Sequence, residues 1–183
     1  MTLHADAVAS LAAWRPFELR QDALRLAFLD LLDRRSDALD RSCAPAHLTA
    51  SALVVDPFER RVLLVLHRKV GRWLQPGGHT ELTDATLAGA ALREAKEETG
   101  VGGLSLASGI LHVDRHPAPC NPGVVDEHFD VRYLVVAPPG REPTVSAESL
   151  DARWIGWDDL ETEIEPTIHE MVAAARHRLS GRP

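Results

Sequence analysis

The stretch REAKEETGV, residues 93–101, places three glutamates and one arginine in six positions just before a glycine. It closes a longer segment, residues 85–100, whose composition and apolar spacing predict a helix. Thr83 or Asp84 can cap the start of that helix, and Gly100 can end it. Because the charge lies on a predicted helix, the face on which it points decides its role.

On a helical wheel with 100° per residue, two of the glutamates share a face with apolar residues. Glu94 and Glu98 continue the stripe that Leu87 and Ala91 begin, and Glu97 lies at its edge. A surface helix normally carries its charge opposite the apolar stripe, so a solvated face explains this pattern poorly. The sequence therefore predicts that these glutamates point into a cleft.

Carboxylates clustered on a partly buried face repel one another and need a cation. Arg93 precedes Glu97 by four residues and can reach it, but one arginine cannot balance three glutamates. Mg²⁺ or Mn²⁺ can, because both prefer oxygen ligands. The preceding segment QPGGH, residues 75–79, is either a simple turn or a place where backbone approaches a metal or phosphate through two glycines.

Composition limits the class of protein. The chain has 183 residues and a net charge of −7, which fits one domain and argues against broad nucleic-acid binding. Two cysteines, Cys43 and Cys120, are too few for a disulfide framework or a zinc cluster and favour reduced thiols. No apolar run is long enough to span a membrane, and the N-terminus is a poor signal peptide. We therefore expect a cytoplasmic protein without nucleic-acid or membrane partners.

The rest of the chain predicts an α/β or α+β sandwich with a mixed sheet. We expect a helical extension at 1–45 before a main domain at 46–183. Strands are predicted at 48–56, 60–69, 109–116, 127–136 and 152–157, loops at 71–84 and around the prolines between 117 and 122, and a closing helix at 166–179.

The extension carries an apolar stripe on one predicted helix face, with Pro16 in the first turn. Phe17, Leu24, Phe28 and Leu31 recur at helical spacing along it. An amphipathic helix must bury its stripe. We expect this stripe to pack on the sandwich, and a homodimer surface is the alternative.

The segment 77–101, GGHTELTDATLAGAALREAKEETGV, resembles the Nudix box, G-x5-E-x7-R-E-U-x-E-E-x-G-U, where U is a bulky aliphatic residue. Three features depart from that pattern: Asp84 stands at the first glutamate position, eight residues instead of seven separate it from Arg93, and Ala95 stands at an aliphatic position. The resemblance extends over 48–180 and implies the Nudix α/β/α sandwich. The matching residues are Gly78, Arg93, Glu94, Glu97, Glu98, Gly100 and Val101.

The resemblance implies a metal-dependent pyrophosphohydrolase. Its substrate would be a nucleoside diphosphate linked to another moiety, such as a nucleotide sugar, an ADP-ribose-like compound or a nucleoside triphosphate. The cofactor would be Mg²⁺ or Mn²⁺, and the partner a small-molecule nucleotide. By position, Arg93 resembles the arginine that orients a box glutamate, and the residues that resemble the metal ligands are Glu94, Glu97, Glu98 and the carbonyl of Gly78.

The general base is left open by the resemblance, because family members use either a box glutamate or one on a later loop. Glu148 resembles the late-loop glutamate of MutT-like members, and an exposed loop glutamate is the alternative. Two alternatives to a hydrolase remain. One is a non-catalytic, nucleotide-sensing module. The other is an isopentenyl-diphosphate isomerase, which needs a catalytic cysteine, and neither cysteine lies near the box in sequence.

Candidates for substrate contacts lie outside the box. Arg68 precedes the glycine loop and can meet phosphate, and Trp73 can stack on a base or pack in the core. His128 belongs to a polar strand face that can line the substrate cleft or face solvent. Polar residues recur at every second position of two predicted strands. They are His112, Asp114 and His116 on the first strand, and His128, Asp130 and Arg132 on the second.

Overall fold

The computed structural model describes residues 1–121, 124–147, 149–161 and 164–181. Within these ranges, four helices and seven strands follow one another. The helices are α1 (Leu3–Ala13), α2 (Leu19–Arg34), α3 (Leu87–Thr99) and α4 (Pro166–Leu179). The strands are β1 (Ala46–Asp56), β2 (Arg61–His67), β3 (Trp73–Leu74), β4 (Gly77–His79), β5 (Ser105–Asn121), β6 (Val124–Val136) and β7 (Ser149–Gly156).

The strands form one mixed sheet in the order β3-β2-β1-β6-β5, with β4 pairing β1 and β7 pairing β2. β1 and β6 run parallel, and the other pairs are antiparallel. Helices pack on both faces of the sheet, so the predicted α/β/α sandwich is confirmed. No helix among the described residues is long and apolar enough to cross a bilayer.

Alternating side chains of β1 build two separate cores. Leu48 and Ala50 face a cluster that contains Leu11 of α1, Phe28 of α2 and Leu87 of α3. On the opposite face, the side chains of β1 and β2 join Ile168 and Met171 of α4. The glutamate-bearing helix therefore lies on one side of the sheet and the closing helix on the other.

The N-terminal segment forms two helices, α1 and α2, and the predicted apolar stripe belongs only in part to α2. Pro16 lies before α2 and not in its first turn, because the chain bends at residues 17–18 and the helix begins at Leu19. Phe17 is 92% exposed, so its place in the stripe was wrong. Phe28 packs on Phe129 of the sheet, with ring centroids 4.9 Å apart. The helix thus buries part of its stripe within the same chain.

Two segments that were predicted as loops contain strands in the structure. β5 and β6 continue through the proline-rich segment, and Pro117 pairs with Glu127. β5 is the last strand in the sheet order, and an edge strand tolerates proline because one row of its N–H groups faces away from the ladder. The predicted loop 71–84 likewise contains the short strands β3 and β4, and β4 pairs with β1.

Candidate active site

Helix α3 begins at Leu87, after Thr86, whose hydroxyl accepts a hydrogen bond from the Gly89 amide. The cap is therefore Thr86 and neither of the predicted residues, Thr83 or Asp84. Gly100 ends the helix as predicted, with a φ of 64° that favours glycine. These two ends set the length of the helix, and the burial of Leu87, Ala91 and Glu98 shows which of its faces is turned inward.

The glutamates point where the wheel predicts. Glu98 is buried with 4% exposure, and its Oε1 accepts a hydrogen bond of 2.8 Å from the Gly77 amide. The Glu94 side chain is largely buried, whereas that of Glu97 is 58% exposed at the edge of the stripe. The last turns of α3 therefore hold carboxylates against the glycines of β4.

The two glycines of β4 are required by close approach. A Cβ placed on Gly77 would lie 2.2 Å from the Cβ of Ser51, and one on Gly78 would lie 2.9–3.0 Å from the carboxylate of Glu94. A larger residue at Gly77 would push β4 away from β1, and one at Gly78 would displace the carboxylate of Glu94. The segment is thus a strand tightly enclosed by its neighbours, and the simple turn weighed from the sequence was wrong.

Arg93 connects the carboxylates into one network. Its guanidinium donates to Glu94 at 2.9 Å, to Glu97 at 3.0 Å and to the carbonyl of His79 at 3.0 Å. Two further bonds of 3.2 and 2.9 Å join it to both carboxylate oxygens of Asp84. One side chain therefore positions two box glutamates and the strand that precedes them.

The departures at Asp84 leave this network intact. Hydrogen bonds to Asp84 raise the pKa of Arg93 above its usual value. Burial alone would raise the pKa of Asp84, but the bonds from Arg93 and from the Glu81 amide outweigh it and lower that pKa. Asp84 is thus ionised, and it accepts two hydrogen bonds from Arg93 despite the longer spacer between them.

The loop around residue 148 is held by Arg68. Its Nε donates to the carbonyl of Ala147 and its Nη2 to that of Ser149, each at 3.0 Å. Glu148 lies outside the described residues, between these two anchored neighbours. The arginine that the sequence suggested for phosphate thus holds backbone on both sides of residue 148.

The comparisons with known proteins agree with this arrangement. A model of the NUDIX domain matches residues 45–175, which is well over half of the chain. The chain belongs to the Nudix family. No curated protein matches this Nudix hydrolase in sequence.

Solved structures resemble the fold of this Nudix hydrolase over most of their own length. A NUDIX-family hydrolase from Clostridium perfringens is 25% identical, with a TM-score of 0.54 over 73% of this chain and 97% of that one. An Ap4A hydrolase from C. elegans is 17% identical, with a TM-score of 0.61 over 74% and 98%. The NUDIX domain of Shewanella oneidensis NrtR, solved with ADP ribose, is 20% identical, with a TM-score of 0.56 over 76% and 92%.

Trp73 of this Nudix hydrolase lies partly buried against the α4 side of the core. The guanidinium of Arg153 lies 4.0 Å from the centroid of its ring. Packing in the core, one of the two roles weighed from the sequence, is therefore present. A role for Trp73 in stacking on a substrate base stays a prediction.

The polar strand faces meet in a buried network. Asp130 accepts hydrogen bonds from Thr49 at 3.0 Å, Ser51 at 2.7 Å and Arg132 Nε at 2.8 Å. Arg132 also donates through Nη2 to Asp114 at 3.0 Å, while its buried Nη1 has no partner among the described residues. Since Asp130 and Arg132 are each only 3% exposed, a solvent-facing role for them is wrong.

The charges of this network are stabilised by its members. Burial would raise the pKa of Asp114, but a hydrogen bond with His116 and the charge of Arg132 lower it to about 2. Burial would likewise raise the pKa of Asp130, and Arg132 and Ser51 lower it. Both aspartates are therefore ionised at neutral pH.

His128 belongs to a group of histidines that the sequence did not bring together. Its ring meets those of His47 and His79 edge to face, with centroids 4.9 and 5.1 Å away. Burial and the neighbouring histidines lower the pKa of His128 to about 3, and burial lowers that of His79 to about 4. His47 was missed because it starts a strand with no motif around it, and its partners are set by strand register.

Proposed function

We propose that this Nudix hydrolase cleaves the phosphoanhydride bond of a small nucleotide with the help of Mg²⁺ or Mn²⁺. The residues that would hold the metal are Glu94, Glu97, Glu98 and the carbonyl of Gly78. The observation that carries the proposal is the Arg93 network, in which α3 presents its glutamates to the glycines of β4.

The donor set of this network fits such an ion. One guanidinium faces the carboxylates of Asp84, Glu94 and Glu97, and Glu81 lies 3.8 Å away. Glu98 adds a further carboxylate nearby, anchored on Gly77. The excess of negative charge and the purely oxygen ligands favour a hard divalent cation.

The residues of this network have distinct parts in the proposed reaction. Arg93 holds Glu94 and Glu97 in place and ties them to β4 through the His79 carbonyl. The Gly77 amide fixes the carboxylate of Glu98. A bound divalent ion would neutralise the diphosphate and lower the pKa of water. The carboxylates would hold that ion in place, and one carboxylate would take the proton of the attacking water.

The general base is a box glutamate or Glu148. Arg68 supports the second candidate indirectly, because it anchors the carbonyls of Ala147 and Ser149 on either side of that position. We therefore assign Arg68 the role of positioning this loop. The substrate-binding role predicted for Arg68 is then an indirect one, while His128 and Trp73 remain candidates for direct contact.

The substrate class is supported by the similar structures. The names of the C. elegans and Shewanella oneidensis structures mention Ap4A and ADP ribose, compounds that share linked phosphates. An isomerase of the same fold is less well supported, since burial raises the pKa of the Cys43 thiol and so disfavours a reactive thiolate.

The test is a hydrolysis screen of the full chain with Mg²⁺, with Mn²⁺ and with a chelator. Substrates should include nucleotide sugars, ADP-ribose, dinucleoside polyphosphates and nucleoside triphosphates. We expect one class to turn over in a metal-dependent way, with products that identify the cleaved bond. Binding of a nucleotide without turnover under any metal would favour the sensing module instead.

A further inference from the structure

A second set of metal-ligand side chains lies beside the box, on the sheet. His47, His79 and His128 each bring one ring nitrogen within 4.8 Å of the other two. Within the described ranges of the chain, no other three histidine, cysteine or acidic side chains meet in this way. All three ligand atoms are nitrogens, so this group differs in chemistry from the glutamates of α3.

The three histidines are carried by mutually paired strands. His47 of β1 is the direct register partner of His128 of β6. His79 of β4 pairs opposite Thr49, two residues along β1, and therefore shares the face of His47. Ligands on a hydrogen-bonded sheet need little rearrangement to bind an ion.

His47 is oriented as metal-binding histidines usually are. Its Nδ1 lies 3.1 Å from the carbonyl oxygen of Cys43. A carbonyl only accepts, so Nδ1 carries a proton and Nε2 is the ring nitrogen that can ligate an ion. A second ring nitrogen bound to a backbone carbonyl is the common arrangement that fixes a ligating imidazole.

The spacing of the first two nitrogens also fits a metal. Nε2 of His47 lies 3.1 Å from Nε2 of His79. Two imidazole nitrogens on a tetrahedral zinc ion, each about 2.0–2.1 Å from it, lie about 3.3–3.4 Å apart. A hydrogen bond donated by His79 gives a similar distance, and that alternative needs no ion.

We propose that His47, His79 and His128 form a site for a divalent transition metal such as Zn²⁺, separate from the oxygen-ligand site on α3. Neutral imidazoles suit this class of ion, whereas Mg²⁺ prefers oxygen. His116 stands next to His128, with ring centroids 5.5 Å apart, and is held through Nδ1 by Asp114 at 2.9 Å. A fourth imidazole thus borders the site.

A metal at this place would act on the active site through β4. That strand has three residues and carries both Gly78 and His79. Arg93 donates to the carbonyl of His79, so the strand is already tied to the box helix. Ligation of His79 would fasten β4 to β1 and β6, and with it the glycine backbone that faces Glu94.

The experiment is a titration of the metal-stripped full chain with Zn²⁺, and with Co²⁺ as a spectroscopic probe, in excess Mg²⁺. We expect one tight equivalent per chain and an unfolding midpoint that rises with Zn²⁺ concentration. His79→Asn and His128→Asn should each weaken binding by about 100-fold or more, since even outer partners of a ligand matter by about 10–100-fold. His177→Asn, a matched change at an exposed histidine of α4, should leave it unchanged.

Two further measurements distinguish binding at the histidines from binding at the glutamates of α3. Glu98→Gln should bind Zn²⁺ as the wild type does, and loss of the equivalent in that variant alone would place the ion on α3 and overturn the proposal. Anomalous diffraction from wild-type crystals soaked in Zn²⁺ needs no variant and should show a peak between the three imidazoles. No peak, or unchanged affinity in both histidine variants, would show that the histidines form only a hydrogen-bonded group without a metal.

Discussion

Two arginines of this protein each bridge several carboxylates, and they do so in opposite surroundings. Arg93, in the middle of α3, contacts Asp84, Glu94 and Glu97. Arg132, in the middle of the sheet, contacts Asp114 and Asp130. The charges are of the same kind, so burial and the remaining hydrogen-bond donors distinguish the two networks.

The Arg132 network is enclosed and largely completed by neutral donors. Asp130 receives the hydroxyls of Thr49 and Ser51 in addition to the guanidinium. The Arg93 network has more carboxylates for its one cation, and Glu97 is mostly exposed. The comparison indicates that the first network holds β1, β5 and β6 together, while the second retains unbalanced charge that a divalent ion can use.

The largest effect that would test this contrast is on stability. Arg132→Leu should lower the free energy of unfolding by about 3–5 kcal/mol, because the buried Asp130 and the partly buried Asp114 lose their cation. Urea denaturation measures it. Arg20→Leu, which removes an exposed pair with Glu170, should cost no more than about 1 kcal/mol. Equal losses in the two variants would show that Arg132 has no special structural role.

The next effect concerns activity. Glu98→Gln should lower kcat by about 100-fold or more, as expected when several kcal/mol of metal-based stabilisation are lost. Stability should change little, because the amide carbonyl of glutamine can still accept from Gly77. Steady-state kinetics at saturating Mg²⁺ measures the change. Glu18→Gln, an exposed glutamate without a capping bond, is the matched control, and full activity in Glu98→Gln would remove this glutamate from the site.

A smaller effect follows from pH. The pKa of Asp114 falls from 3.8 to about 2 on folding, so its ionised form stabilises the fold above about pH 4 and this stabilisation is lost as pH drops towards 2. The difference corresponds to about 2 kcal/mol. Denaturation curves across this range should fall less steeply with acid for Asp114→Asn than for the wild type. Identical slopes would mean that Asp114 is not held as an ion by Arg132 and His116.

The smallest effect returns to the exposed edge of the Arg93 network. Glu97→Gln should change the free energy of unfolding by no more than about 0.5 kcal/mol, since an exposed pair four residues apart on a helix contributes little. Thermal or urea unfolding beside Asp130→Asn provides the comparison. A loss at Glu97 as large as at Asp130 would mean that both networks serve the fold alike.

Much of the box was predictable because its information is local. The 3.6-residue period placed Glu94 and Glu98 on the inner face of α3, and the left-handed backbone at Gly100 fits a helix end. The cap was predicted too early, since Thr86 and the earlier polar residues offer similar oxygens and only the geometry of the turn selects one. Phe17 was misplaced because α2 begins only at Leu19, which leaves Phe17 in the exposed turn before the helix.

The partners between strands were not predictable in the same way. Asp130 meets Thr49 and Ser51 about 80 residues earlier in the chain. A slip of one residue in register would turn every side chain of a strand to the other face, and no local pattern fixes the register of a parallel pair. The grouping of the histidines depends on the same register, since His47 and His128 are direct partners across β1 and β6.

The sequence by itself determined the helix of glutamates, its glycine neighbours and the need for a counter-charge, because helical period and like-charge repulsion act within a few residues. The tertiary structure decided that Arg93 would reach Asp84 across the longer spacer, that Arg132 would be enclosed, and that three histidines would meet. These contacts join distant segments, and only the packing of the whole sheet brings their side chains within bonding distance.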